Sequence, residues 1–515
     1  MSLQSGNQKK TIAKNAILLY IRMLLSVVVS LYTSRVVLQT LGVEDYGIYG
    51  VVGGVVSMFS FLNAAMSGAT SRFLTYEMGR GDMKRLKDTF SSAMVIHILI
   101  ALIIFIVAET FGLWFLCHKL VIPEERMLAA HFVYQFSILS MFFSVTQVPY
   151  NSILIAHEKM DIYAYVELLN VGLKLVIVYL LLIGNFDKLI LYAGLTLLVS
   201  IIIALIYRIY CLRHYEESSF HFIWDTSLLR PMLSFSGWDL YGNMSVVFFS
   251  QGIAMLLNMF FGPVLNAANN ISITVQGTIK GFAYSVVQAF RPQIIKQYAQ
   301  GEIKAVTGYC IMATQYTFIL YSLIAIPVFF NSYTILNLWL GVVPEYANIF
   351  LKIVLVGTIF NLGHNIVSIP IHAEGRMKVY SLVSGSAFLL ALPIMYIALK
   401  LGASASLSYT VFPLANASCL CASIVILKRN VPQFAIGQLL LLGYIKSGVI
   451  LLLSVFSCIT LTYFLGNPWL YLLGTLVLNT LILTLGLLYV IMNKDERRKV
   501  YTFIKKKFSY GKIQG

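Results

Sequence analysis

The residues best able to do chemistry in this sequence are ionisable and amide side chains set inside long apolar stretches. Lys280 lies deep in one stretch, with Gln276, Tyr284 and Gln288 recurring around it every four residues and Arg291 following near its end. In the stretch before it, Asp239, Asn243, Ser250, Gln251 and Asn258 recur at near-helical spacing. Lys174 lies deep in a third stretch, with Glu167 seven residues earlier, so that on a helix both side chains share a face. Arg22 lies within the first stretch. A helix with one wet face and one apolar face lines a cavity or a polar interface. Cations in a low-dielectric cavity attract an anion more strongly than they would in water. Amides and hydroxyls can exchange hydrogen bonds with a polar cargo. The chemistry on offer is therefore binding, not bond-making.

Each residue also has a structural reading. Arg22 and Lys352 can snorkel towards an interface. Asp239 can sit at headgroup level and cap its helix. Glu167 and Lys174 can form a structural ion pair. Lys280 is hardest to explain this way, because its stripe is long and starts far from either surface. His97, His131 and His364 read as packed or interfacial. The run Gly47, Gly50, Gly53, Gly54 and Ser57 reads as close helix packing rather than a phosphate loop. The six cysteines form no CxxC pair and read as small hydrophobes. No GxxxxGK[ST], GxSxG or HExxH occurs, so nucleotide, serine-nucleophile and zinc-protease chemistry find no motif, and no cofactor or metal is expected.

The elements that must position these residues follow from composition. The chain has 515 residues, 59% hydrophobic and 11% charged, against about 25% charged in soluble domains. Its apolar residues fall in blocks of about 20, the length that crosses a bilayer core. Reading these blocks gives an all-α polytopic membrane protein of about fourteen transmembrane helices. They run near 15–34, 46–70, 89–113, 128–152, 160–183, 188–209, 231–260, 263–290, 305–330, 346–370, 381–399, 403–427, 447–465 and 469–491. The polar, basic N-terminus runs into the first span with no small-residue cleavage site, which reads as a retained helix.

Charge orients the spans. With the N-terminus inside, most of the 37 Lys and Arg fall on inner segments, and only Arg35, Lys119, Arg126, Lys188 and Lys400 fall on outer ones. This asymmetry places both termini in the cytoplasm. The net charge of +16 suits a leaflet of anionic membrane lipid and requires no nucleic acid. The outer loops are too short for an extracytoplasmic catalytic domain, so an enzyme is not expected.

The halves echo each other at an offset of about 220 residues. Gly42, Glu77 and Gly81-Asp82-Met83-Lys84 correspond to Gly262, Gln297 and Gly301-Glu302-Ile303-Lys304. Glu158-Lys159-Met160 with Tyr163 corresponds to Glu374-Gly375-Arg376-Met377 with Tyr380. Six intervening helices, an even number, make the repeats parallel, related by an axis along the membrane normal. The expected organisation is a six-helix lobe over 1–209, a second over 210–427, and two extra helices with a basic tail over 428–515. The substrate site would lie between the repeats, near the midplane.

This pattern resembles the polysaccharide, or oligosaccharide-lipid, flippases, in the superfamily that also holds multidrug-and-toxin-extrusion transporters and peptidoglycan-precursor flippases. The clearest local piece is the turn Ser34-Arg35-Val36-Val37-Leu38-Gln39-Thr40-Leu41-Gly42-Val43-Glu44-Asp45-Tyr46-Gly47-Ile48-Tyr49-Gly50. Arg72-Phe73 and the Gly81-Asp82 loop add a second. The resemblance implies a protein of the cytoplasmic membrane that works by alternating access. Its cargo would be a polyprenyl-pyrophosphate-linked glycan carried from inner to outer leaflet, and other polysaccharide-assembly proteins would be its partners. It also implies cavity cations on the first and eighth helices, here Arg22, Arg35 and Lys280. The substrate-binding set is then Arg22, Arg35, Lys174, Asp239, Asn243, Gln276, Lys280, Tyr284, Gln288 and Arg291. Fourteen spans resemble the precursor flippases in number, which keeps a peptidoglycan-precursor cargo open. A cation-coupled multidrug exporter of the same fold would favour acidic cavity residues, whereas the midplane charge here leans basic.

Overall fold

The fold comes from a computed structural model. The structure describes the backbone of residues 2–157, 159–183, 186–235, 237–375, 377–492 and 497–498. It describes side chains from residue 27 onward, apart from 64, 65, 160, 164, 234, 235, 237–239 and 377 within those stretches.

The described chain is helical, with no strand. In order, the helices are α1 (Ser2–Ser57), α2 (Ser60–Arg80), α3 (Met83–His118, with a π turn at Ala108–Gly112), α4 (Met127–Ala156), α5 (Met160–Leu180) and α6 (Lys188–His214). Then come the short α7 (Thr226–Phe235), α8 (Gly237–Phe261), α9 (Pro263–Ala299), α10 (Ile303–Phe330), α11 (Ser332–Leu340) and α12 (Ala347–Glu374). The last four are α13 (Met377–Lys400), α14 (Ala405–Asn430), α15 (Ile436–Phe464) and α16 (Pro468–Ile491). Helices satisfy their own backbone groups, which a bilayer core demands.

Among the described residues, 11 helices are long and apolar enough to cross a membrane, or up to 12 when α1 from Val27 and α2 are taken as one bent span. The protein is thus a multi-pass membrane protein, although this count is lower than the fourteen read from sequence. Two segments account for much of the difference. The first span, 15–34, lies mostly ahead of the described side chains. The other, α9, carries Asn266, Asn269, Asn270, Gln276, Lys280 and Gln288 along its length, too many polar groups for an apolar span.

Local chemistry places the breaks. Gly42 interrupts α1 with φ 82°, and Gly262 separates α8 from α9 with φ 78°. Gly81 and Gly301, ending α2 and α9, have φ 74° and 77°. Each pair stands at the same place in the two sequence repeats, and each turn needs the left-handed backbone that glycine adopts without steric cost. Asp82 caps α3 by accepting from the Arg85 N–H at 3.0 Å. Asp187 caps α6 by accepting from the N–H groups of Leu189 and Ile190. Within α3, the Tyr134 hydroxyl donates to the Ala108 carbonyl at 2.6 Å, where the π turn begins.

The helices form two compact units. The first comprises residues 1–274, 342–350 and 381–411. It packs one core around Val51, Val55, Leu116 and Val133, and another around Phe90, Tyr150, Ile153 and Leu154. Here Gly47 meets the Pro263 carbonyl so closely that a Cβ would lie 1.9 Å from its oxygen, as expected of a close-packing glycine. The second comprises residues 275–341, 351–380 and 412–515, with a core around Cys310, Ala313, Ile366 and Leu427. In it, α15 and α16 expose Leu452, Phe456, Leu473 and Val477, a surface suited to lipid.

Candidate functional site

In the first unit, α1, α4, α5 and α6 surround a chamber of about 660 Å³. A chamber of this size is in the range of small-molecule sites. Among its described lining residues, the charged side chains are Glu167 and Lys174, both from α5. Asn170 lies between them on the same face. Glu167 and Lys174 form no ion pair, and among the described residues none of the three has a hydrogen-bond partner. Tyr49, Tyr163, Tyr192 and Tyr207 supply aromatic walls, and α4 contributes Gln147 and Asn151. Two smaller chambers, of about 460 and 290 Å³, adjoin this one through Tyr49 and extend the polar lining to Gln251 of α8 and Asn270 of α9.

In the second unit, a chamber of about 210 Å³ is lined by Tyr284, Gln288 and Arg291 of α9, Asn365, Ser368 and His372 of α12, and Tyr380 of α13. The duplication reappears in its walls. Tyr380 lines it together with Ser368, as Tyr163 lines the first chamber together with Asn151, at one shared sequence offset.

The residues expected from sequence separate into groups. Lys174 lines the large chamber, and Tyr284, Gln288 and Arg291 line the smaller one. Lys280 is half-buried in α9 and, among the described residues, has no ion pair or hydrogen bond. In the same unit His364 is buried, bonded to Ser423 at 2.9 Å and to Tyr380 at 3.1 Å. Gln276 is buried, and its Nε2 donates to Thr358 Oγ1 at 2.8 Å. Asn243 is half-buried in α8 and engaged with a neighbour. Arg35 lies in the helical arm of α1 before Gly42, half-buried, where the sequence reading had put it in an outer turn. The side chains of Arg22 and Asp239 lie outside the described residues.

The sequence reading missed Asn170, Gln147 and Asn151. Asn170 was findable, since it shares the face defined by Glu167 and Lys174. Gln147 and Asn151 carry no local signal that they face α5. Asn258, read as part of a wet stripe, is instead buried. Its Oδ1 accepts from the Val121 N–H at 2.7 Å and its Nδ2 donates to the Val121 carbonyl at 3.2 Å, pinning the turn after α3.

At the end of the first unit that carries this turn, the Arg126 guanidinium binds two carboxylates, Asp45 and Asp187. At the opposite end, His157 Nε2 lies 2.6 Å from the buried Glu217 carboxylate and the imidazole stacks on Tyr215. His221 joins Asp88 at 3.0 Å and Ser91 at 2.9 Å. These contacts strap the segment after α6 onto α3 and α4.

Residues 10–297 match the family model described as polysaccharide biosynthesis protein. The uncharacterized membrane protein EpsK of Bacillus subtilis (strain 168) is 21% identical over 335 residues, covering 63% of this chain. The chain spans 64% of the length of that curated relative. Among solved structures, the lipid II flippase MurJ in an inward closed conformation is similar with a TM-score of 0.71, at 15% identity over 91% of this chain and 98% of that one. An inward-facing multidrug resistance MATE family transporter of the MOP superfamily is similar with a TM-score of 0.60, at 14% identity over 81% and 96%. These likenesses identify the fold.

Proposed function

Because the chain belongs to the polysaccharide biosynthesis protein family, we propose that it moves a polyprenyl-pyrophosphate-linked oligosaccharide from the inner to the outer leaflet of the cytoplasmic membrane by alternating access. The observation that carries this reading is the chamber of about 660 Å³, walled by amides, hydroxyls and tyrosines, within membrane-spanning helices. Polar groups at that depth are costly unless they meet water, each other or a polar cargo. The glycan would occupy such space while its lipid tail stays in the bilayer. Lys280, with Arg22 and Arg35 from the first lobe, would attract the pyrophosphate.

In this reading the lobes over 1–209 and 210–427 rock against each other, and the 428–515 segment packs at their edge. Both termini face the cytoplasm, where the basic loops meet anionic lipid. Cargo must bind the inward-open and outward-open states differently, or it shifts nothing between them.

The experiment is reconstitution into vesicles with a polyprenyl-pyrophosphate oligosaccharide loaded in one leaflet. Its arrival in the other is read by an impermeant lectin. Transfer above the protein-free rate supports the reading, and transfer at that rate overturns it. The likeness to the lipid II flippase favours one second reading, a peptidoglycan-precursor cargo. A disaccharide-peptide lipid in the same assay separates the two.

A further inference from the structure

The large chamber differs from a phosphate site in its charge. Its described lining carries one carboxylate and one ammonium, Glu167 and Lys174, which sum to no net charge. A pyrophosphate placed there would meet a carboxylate as well as a cation, and like charges at close range in a low dielectric repel strongly. Three hydroxyls on the facing helices already donate to backbone carbonyls. Thr33 Oγ1 donates to the Val29 carbonyl at 2.8 Å, Thr196 Oγ1 to Tyr192 at 2.8 Å and Ser200 Oγ to Thr196 at 3.1 Å. Among the described residues, the Glu167, Asn170 and Lys174 side chains have no hydrogen-bond partner.

These three lie within eight residues of α5, about 10 Å along its axis. In order they present a pure acceptor, a mixed acceptor and donor, and a pure donor. That sequence fits adjacent sugar hydroxyls, each of which both donates and accepts, better than it fits any single ion. The tyrosine walls offer flat apolar faces with polar tips.

We propose that the Glu167–Asn170–Lys174 stripe is a glycan subsite that takes neutral, hydroxyl-rich sugar residues, separate from the cations that attract phosphate. The proposal rests on the transport function proposed above and names the part of the cargo this chamber receives. Lys174 thereby serves sugar selection rather than pyrophosphate binding.

The test uses cargo glycan in place of a guessed sugar. Mild acid releases the free glycan from lipid-linked intermediates that accumulate in cells lacking the protein. Its binding to the purified full-length chain is measured by saturation-transfer NMR, and that of inorganic pyrophosphate, which has no carbon-bound proton, by titration calorimetry. The released glycan should be neutral at the residues showing transfer. The Glu167→Gln/Lys174→Gln double variant should weaken glycan binding at least tenfold and leave pyrophosphate binding unchanged. Lys280→Gln should do the reverse. Ser200→Trp, which fills the chamber without altering charge, should abolish glycan binding while the protein still elutes as a single species. Unchanged glycan binding in both chamber variants overturns the subsite, and so does a glycan anionic at its contacting residues, with transport itself left standing. If no lipid-linked glycan accumulates in the deleted cells, the transport reading fails and the subsite falls with it.

Discussion

Arg126 Nη1 lies 2.6 Å from Asp187 Oδ2, and the same guanidinium holds Asp45 through Nε at 2.8 Å and Nη2 at 2.6 Å. One planar fork thus joins the start of α4, the N-terminus of α6 and a residue three positions past the Gly42 break in α1. Burial, the largest influence, raises the Asp187 carboxyl. The guanidinium and the N–H groups of Leu189 and Ile190 together outweigh it and hold the group below the ordinary carboxylate value. A carboxylate depressed in this way stabilises the fold at pH values above its unfolded value of about 4, and the contribution disappears as pH falls through the lower folded value. The apparent Tm in detergent should be flat from neutral pH to about 5 and fall below about 4, with part of that fall absent in Asp187→Asn. Arg126→Lys, which keeps the charge but loses the fork, should cost about 1–3 kcal/mol. A Tm unchanged by Arg126→Lys would show that the fork is incidental.

Two neighbouring glycines should respond differently to the same substitution. A Cβ on Gly47 would lie 1.9 Å from a backbone oxygen, that of Pro263. One on Gly50 would lie 1.8 Å from Nδ2 of the Asn270 side chain. Backbone cannot yield without moving a helix, whereas a side chain can swing aside. Gly47→Ala should therefore lower thermal stability and yield. Gly50→Ala should keep most of both but alter the chamber wall, because Asn270 lines it. Equal losses in fluorescence-detected chromatography after heating would contradict this difference.

Much of this was legible in the sequence because helical geometry is local. The shared face of Glu167 and Lys174 follows from seven residues at about 100° each, and both side chains do line one chamber. The four-residue spacing of Gln276, Lys280, Tyr284 and Gln288 is a less faithful guide. Each step of four advances about 40° beyond a full turn, so the ends of that series diverge by about 120°. Accordingly Gln276 is used up on Thr358, while Tyr284 and Gln288 reach a chamber. Contacts between segments far apart in sequence left no trace. Nothing local to Asn258 announces Val121, and nothing local to Arg126 announces Asp45 or Asp187.

The segment after α6 should become easier to cut when its strap is removed. Glu217 is buried against His157, and that imidazole stacks on Tyr215 with centroids 4.1 Å apart. His221 is tied to Asp88 and Ser91. Glu217→Ala leaves His157 without its partner and frees one end of the segment. Chymotrypsin should then cleave at Tyr215, Phe220 or Trp224 several-fold faster than in the wild type, with Glu217→Gln intermediate. Identical cleavage rates in all three would mean that the segment is held by other contacts.

Lys280 gives the sharpest test of the proposed transport. It is half-buried in α9 and, among the described residues, has no ion pair or hydrogen bond, an arrangement that costs free energy unless the charge serves something. Removing an unpaired buried charge breaks no ion pair, so Lys280→Ala should leave abundance and thermal stability unchanged or slightly improved. A cation that holds cargo phosphate would, by contrast, be missed at once, and the same substitution should abolish export of the sugar unit. Lys280→Arg keeps the charge in a larger, planar group and should retain partial export. Gln276→Ala should behave oppositely. It removes the donor to the buried Thr358 hydroxyl, which keeps its own bond to the Val354 carbonyl at 2.7 Å, and should lower stability by about 1 kcal/mol. Its transport per folded molecule should stay near normal. The readouts are surface-polysaccharide complementation in cells and the vesicle assay on purified protein, each normalised to folded protein. Normal export by Lys280→Ala in both would remove Lys280 from the cargo path.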